Sequence, residues 1–336
     1  DIKTTLDARI QEAVSQAMKD VLPGAVVVSD PKDGSILALY SAPSFDPNLF
    51  THPPNYEATG SYKNLEMIFA DFENNPFLNR AIGGAYPPGS TFKLITAIAA
   101  LESESIDPSG EIEDIGILRV GNFSYGNWYF LQYGRKEGLL DVVGAIKRSN
   151  DIFFYKAAEK TGLDSLVSWA KNFGLGKKLG IDLLEEIPGI VPDNEWKKDV
   201  IGEPWYLGDT YHLGIGQGYL LTTPLQVNFW TAPFANGGVL YQPHLIPGQK
   251  KIIRKNFIKK EYIDLVRKGM NQSCETGGVA WPLFEFRVQN SELRIDGIDF
   301  IEEASGSAQM VRIKVGCKTG TAETTDEHDP HAWITV

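Results

Sequence analysis

The stretch AYPPGSTFKLITAIAALES, residues 85–103, constrains the fold of this chain most. Pro87-Pro88-Gly89 cannot continue a helix from upstream, because proline lacks the amide hydrogen and pushes its predecessor out of the helical region. Beyond it, Phe92, Leu94, Ile95, Ile98 and Leu101 recur on helical spacing. A helix this apolar belongs inside a core. Ser90 opens the run, and Lys93 follows one turn later on the same face. Two readings of the pair stand: an N-cap serine with a snorkelling lysine, or a nucleophile with its base.

The flanking segments supply the rest of the architecture. TTLDARIQEAVSQAMKDVLPG carries Leu6, Ile10, Val14, Ala17, Met18 and Val21 on one helical face, with Pro23-Gly24 as a stop. AVVVSDPKDGSILALYS predicts two strands, over 25–29 and 35–41, joined by the turn DPKDG. Helical patterns dominate the middle. Two stretches within 141–161 meet near Ser149, with Gly162 as C-cap. LDSLVSWAKNFGLG, residues 223–238 and residues 257–271 predict three more helices. MVRIKVGCKTGTAE and HAWITV return to strand patterns. The implied fold class is α+β. An antiparallel sheet is formed by the N- and C-terminal segments, with helices packed on it and a largely helical lobe inserted. The α/β part covers about 1–44 and 240–336, and the lobe about 45–239.

Composition narrows the function classes. A chain of 336 residues with net charge −11 is not a general nucleic-acid binder. No apolar run reaches the ~18 residues of a membrane span. Cys274 and Cys317 are too few for a disulfide framework and lack the C-x-x-C spacing of a zinc site. Neither a metal nor a cofactor is expected.

Three S-x-x-K matches occur, Ser29/Lys32, Ser90/Lys93 and Ser168/Lys171, where composition alone yields about one. Position therefore has to discriminate. The first falls in the hairpin turn, and the third lies on an amphipathic helix with its lysine facing solvent. Only Ser90 sits where a helix begins, where free N–H groups favour negative charge on oxygen. Lys93 acts as a base only if burial or a nearby cation lowers its pKa. Lys318-Thr319-Gly320 ends a strand pattern. Lys318 and Thr319 suit a carboxylate, Gly320 allows close approach to the backbone, and Lys318 could supply the positive field that keeps Lys93 neutral. Ser149 and Asp151 lie between the two motifs. The serine hydroxyl could relay a proton, or Ser149 or Asn150 could simply cap the next helix.

The order Ser90-x-x-Lys93, Ser149-x-Asp151, Lys318-Thr319-Gly320 resembles the penicillin-recognising serine enzymes. GAVVVSDPKDGSILALYSAPSFDPN, NRAIGGAYPPGSTFKLITAIAALE, FGLGKKLGIDL and GIVPD are similar to the transpeptidase domain of penicillin-binding proteins. YLGDTYHLGIGQGYLLTTPLQ and ANGGVLYQPHLI resemble its elongation-type class B branch. The resemblance implies one transpeptidase domain over 1–336, C-terminally incomplete by a strand and a helix, with an N-terminal membrane anchor and pedestal expected elsewhere. It implies a D,D-transpeptidase outside the cytoplasmic membrane that crosslinks peptidoglycan stem peptides ending in D-Ala-D-Ala and is acylated by β-lactams. A SEDS-family glycan polymerase and the elongation machinery would be partners of the full-length protein.

By the same resemblance, Ser90 matches the nucleophile, Lys93 its base and Ser149 the proton relay. Lys318, Thr319, Gly320 and Thr321 match the substrate-binding strand, and the N–H groups of Ser90 and Thr321 match the oxyanion hole. Asp151 stands where many relatives carry Asn, as elongation-type members often do. Tyr133-Gly134-Arg135 replaces a common Gly-His-Gly, so no metal is carried over. Cys317, next to Lys318, is expected to be a packed thiol facing away from the lysine. A β-lactamase or a β-lactam sensor of the same fold is the alternative. No Glu-x-x-Leu-Asn lies between 150 and 318, which argues against the commonest hydrolytic route, while a carbamylated Lys93 stays open. An α/β-hydrolase is disfavoured because Ser90 sits in P-G-S-T-F and not in G-x-S-x-G.

Overall fold

The computed structural model describes residues 2–21, 23–51, 56–288, 299–301, 309–312, 315–323 and 330–336. Helix α1 (Ala8–Ala17) starts at Asp7, whose carboxylate accepts the Arg9 N–H. Strands β1 (Gly24–Ser29) and β2 (Ile36–Ala42) form an antiparallel hairpin with Gly24 opposite Ala42. Helices α2 (Leu65–Ala70) and α3 (Arg80–Gly83) lead to a 3-10 turn over Gly89–Phe92, which runs directly into α4 (Lys93–Glu102). Short strands then pair as β3 (Ile112–Asp114) with β6 (Gly138–Leu140) and β4 (Ile117–Val120) with β5 (Phe123–Gly126), and α5 (Trp128–Tyr133) falls between β5 and β6 in sequence. The helical series continues with α6 (Val142–Arg148), α7 (Asp151–Thr161), α8 (Leu163–Asn172), α9 (Asn194–Val200), α10 (Leu207–Gly214) and α11 (Pro224–Asn236). Strands β7 (Val239–Tyr241) and β8 (Ile252–Lys255) pair before α12 (Lys260–Cys274). Strands β9 (Glu285–Val288), β10 (Asp299–Ile301) and β11 (Gln309–Arg312) form a small antiparallel sheet in the order β10-β11-β9. An antiparallel pair, β12 (Lys318–Ala322) and β13 (His331–Thr335), follows it.

The apolar run behaves as its composition requires. Every residue from Lys93 to Leu101 is buried, and α4 packs against α6, α7, α8 and α12. This is the larger of the two main cores; a third, minor cluster holds Cys274, Ala280 and Cys317. The smaller main core lies under β1 and β2 and is built from Ile36, Ala81, Ile82, Leu179, Ile181, Leu225, Phe229 and Leu240. Helix α11 separates them. Val227, Trp230 and Phe234 face the large core while Leu225 and Phe229 face the small one, which is why this helix reads as apolar all round. Thr223 and Gln226 close its N-terminus with a reciprocal capping box, and Gly237 ends it in a left-handed conformation.

The α+β class and the helical centre hold. The two ends of the chain form antiparallel pairs, β1–β2 and β12–β13, and both rest on α11. Among the described residues no ladder bond joins the two pairs. The β3–β6 and β4–β5 ladders were not expected, because strands of three or four residues are too short to show an alternating pattern.

Cys317 is not a free thiol. It is bonded to Cys274 across 43 residues, with Cα atoms 6.0 Å apart and both side chains buried. The reason is tertiary. The Cys317 N–H donates to the carbonyl of Met270, so the segment entering β12 is laid along the last turn of α12, where Cys274 sits. A closed loop of 43 residues stabilises the fold by about 4 kcal/mol in the chain-entropy account. Replacing both cysteines by alanine should lower the denaturant midpoint by a corresponding amount, and an unchanged midpoint would refute that role.

Candidate active site

The turn over Gly89–Phe92 carries Ser90, and no side chain caps it: Pro88 and Phe92 occupy the cap positions. The Ser90 hydroxyl makes no hydrogen bond among the described residues, so the N-cap explanation for this serine fails. Strand β12 docks on the turn through glycines. A Cβ on Gly89, which has φ +54°, would fall 2.6 Å from the Thr321 carbonyl oxygen. One on Gly216, after α10, would fall 2.1 Å from the Gly89 carbonyl oxygen. The Gly89 N–H donates to Gly216 (2.8 Å), and the Trp333 indole donates to the Pro87 carbonyl (2.9 Å). The backbone of Thr321 is thereby held against the residue next to Ser90. The hydroxyls of Thr319 and Thr321 have no partner among the described residues, and Thr321 is exposed.

Behind Ser90 lies a buried polar cluster. Lys93 is the first residue of α4 and has no exposed surface. Its ammonium donates to Asp151 Oδ1 at 2.6 Å and to the Ser149 carbonyl at 2.8 Å, and it lies 3.4 Å from Ser149 Oγ. Lys318, also fully buried, donates to Ser149 Oγ and to the Thr319 carbonyl, both at 2.7 Å. Both amines therefore meet on one hydroxyl. Ser149 reaches them because it ends α6 in a left-handed conformation, φ +53°, uncommon for a residue with a side chain. Asn150, not Ser149, caps α7 by accepting the Phe153 N–H at 2.8 Å. The serine hydroxyl is left for other work.

The electrostatics follow from burial. Desolvation pushes Lys93 below the usual lysine value, and the Asp151 carboxylate opposes that shift. Lys318 is driven well below its usual value, first by burial and then by the charge on Lys93. Lys93 has a carboxylate of its own, whereas Lys318 has none in hydrogen-bond reach among the described residues, so the downward shift is the stronger at Lys318. Each amine binds fewer protons folded than unfolded, so their contribution to stability improves as pH rises toward about 10.4.

The other two S-x-x-K pairs are remote from this cluster. Ser29 Oγ bonds Asn228 Oδ1 at 2.6 Å and Lys32 is exposed. Ser168 is exposed, and Lys171 pairs with Asp193 at 3.6 Å. Sequence reasoning missed Asp114, Asn127, Trp128 and Glu137, which stand behind Asp151 and Asn150. No spacing relates them to a motif, so only the folded chain shows them.

A family model described as the penicillin-binding protein transpeptidase domain matches residues 24–335. The chain is 34% identical over 352 residues to the peptidoglycan D,D-transpeptidase MrdA of Haemophilus influenzae, covering 100% of this chain and 50% of that protein. It therefore spans about half the length of this relative. Among solved structures, the complex of Helicobacter pylori PBP2 with MreC superposes with a TM-score of 0.80 at 30% identity, covering 99% of this chain and 56% of that one. Pseudomonas aeruginosa PBP2 in complex with WCK 5153 gives 0.78 at 32% identity, with 99% and 70% covered.

Removing the carboxylate tests the charge assignment. Asp151→Asn deletes the group that opposes desolvation, so the Lys93 amine should lose its proton at a lower pH than in the wild type. Side-chain nitrogen NMR of the lysines reads this directly. A Lys93 titration that stays put would mean that Asp151 does not set its charge.

Proposed function

We propose for this chain, which belongs to the penicillin-binding protein transpeptidase domain family, the activity of a serine-type D-Ala-D-Ala transpeptidase of peptidoglycan synthesis. One observation carries the reading: two fully buried lysines share the Ser149 hydroxyl beside the uncapped Ser90 turn. A structural role needs at most one such amine, because each desolvated cation costs several kcal/mol. Proton transfer uses both.

The terminal carboxylate of a stem peptide binds at Lys318, Thr319 and Thr321, with Gly320 leaving room for it. That negative charge favours a cationic Lys318, whose proton comes from Lys93 through Ser149 Oγ and leaves the Lys93 amine neutral. Ser90 Oγ then attacks the carbonyl of the penultimate D-Ala while Lys93 Nζ takes the hydroxyl proton. The N–H groups of Ser90 and Thr321 hold the oxyanion, each worth about 3 kcal/mol. Ser149 passes the proton from Lys93 to the departing D-Ala nitrogen, and the C–N bond breaks. An amine of a neighbouring stem peptide attacks the Ser90 ester, Lys93 accepts its proton, and Ser90 Oγ leaves protonated.

A β-lactam enters by the same route but keeps its cleaved nitrogen tethered, which blocks the path of an acceptor. The buried Cys274–Cys317 bond supports work in an oxidising compartment, outside the cytoplasmic membrane. Because the Helicobacter pylori relative is solved with MreC, we extend the proposal to elongation machinery, a SEDS-family glycan polymerase included, as the partner of the full-length protein.

Ser90→Ala should abolish covalent labelling by a fluorescent penicillin, whereas Ser29→Ala and Ser168→Ala should label as the wild type does. Labelling retained without Ser90 would overturn the site. The wild-type adduct should persist for minutes to hours by intact mass. Turnover of hundreds of equivalents of penicillin per minute would instead identify a β-lactamase.

A further inference from the structure

A chain of hydrogen bonds that no motif contains runs to the Lys93–Asp151 pair from the β3–β6 ladder. Asp114, the last residue of β3, is buried and accepts three donors. They are the Gly116 N–H on Oδ1 (2.8 Å), and Asn127 Nδ2 and the Glu137 N–H on Oδ2 (both 3.0 Å). Asn127 has no exposed surface, and its other amide end, Oδ1, accepts the Asp151 N–H at 3.0 Å. The next residue, Trp128, donates its own N–H to Asp151 Oδ2 at 2.9 Å. Asp151 Oδ1 is then left for Lys93. A second arm returns to the same helix junction. Glu137 is bound by the Arg148 guanidinium and by Asn150 Nδ2 (3.0 Å), and the Trp128 indole donates to the Arg148 carbonyl (3.1 Å).

We propose that Asn127, held in place by Asp114, is a positioning residue that aims the Asp151 carboxylate at Lys93. The inference rests on the acyl-transfer reading above. Asp151 is the first residue of α7, where a backbone N–H has no intrahelical acceptor and an acidic side chain is free to turn toward the exposed N–H groups of its own helix. Asn127 removes that freedom twice. It supplies the missing acceptor, and it fixes the strand-to-helix step that presents the Trp128 N–H to Oδ2. Its amide has one workable orientation, because a flip would set donor against donor at Asp151 and acceptor against acceptor at Asp114. Losing it orphans the Asp151 N–H in a buried site. The carboxylate then drifts from Lys93.

The test is a kinetic double-mutant cycle on penicillin acylation of the whole chain, measured across pH for wild type, Asn127→Ala, Asp151→Asn and the double variant. Asn127→Ala should lower the plateau rate about tenfold and move the acidic limb to lower pH, the direction in which loss of Asp151 moves it. In the Asp151→Asn background the same change should alter the rate less than about twofold, because the group it aims is gone. Equal losses in both backgrounds would reduce Asn127 to a structural residue and overturn the proposal, as would a wild-type rate and limb in Asn127→Ala. Should circular dichroism show that Asn127→Ala does not fold, Asp114→Asn replaces it in the cycle. That change sets an NH2 group against either the Gly116 N–H or Asn127 Nδ2, loosening the residue that holds Asn127, and is held to the same two outcomes. A wild-type chain that is never acylated overturns the functional reading and this inference together. An acylating wild type with additive variants overturns this inference alone.

Discussion

Placing the Lys93 ammonium at the head of a helix buried on every side is costly unless its charge is matched and its donors are used. Much of the active region is organised by that requirement. Asp151 supplies the charge, and the carbonyl and hydroxyl of Ser149 take the remaining donors. Those groups are available only because α6 stops at Ser149 in a left-handed turn and α7 starts two residues later, at Asp151. The helix junction is thus shaped by the needs of an amine that belongs to a different helix.

Lys318 enters the same cluster from a strand, without a carboxylate of its own among the described residues. Burial holds both amines below the usual lysine value, and the charge on Lys93 adds to that shift at Lys318. In the mechanism proposed above, a ligand carboxylate at Lys318 would couple binding to the charge of Lys93 through this cluster.

Backbone proximity is the second constraint. The turn at Ser90, the loop after α10 and strand β12 approach one another so closely that Gly89 and Gly216 have no room for a Cβ. Strand β12 is then anchored at its entrance by the Cys274–Cys317 bond and at its partner strand by Trp333 on Pro87. An oxyanion site made of backbone groups depends on such anchoring, because nothing in a side chain can correct a misplaced N–H.

The sequence by itself determined the α+β class, the buried helix after Pro87-Pro88-Gly89 and the motif residues Ser90, Lys93, Ser149, Asp151 and Lys318. These are local facts: proline and glycine chemistry, helical period, and residue types at fixed spacing. It did not determine that Cys274 meets Cys317, because a disulfide depends on where α12 ends relative to β12. Nor did it bring the two lysines onto one hydroxyl, since the contacts of both with Ser149 join a helix, a helix junction and a strand that are far apart in the chain. Asp114 and Asn127 were invisible for the same reason. Each is an isolated polar residue in a segment of very short strands. Their connection to Lys93 exists only once β3, the start of α5 and the start of α7 are brought within hydrogen-bond distance.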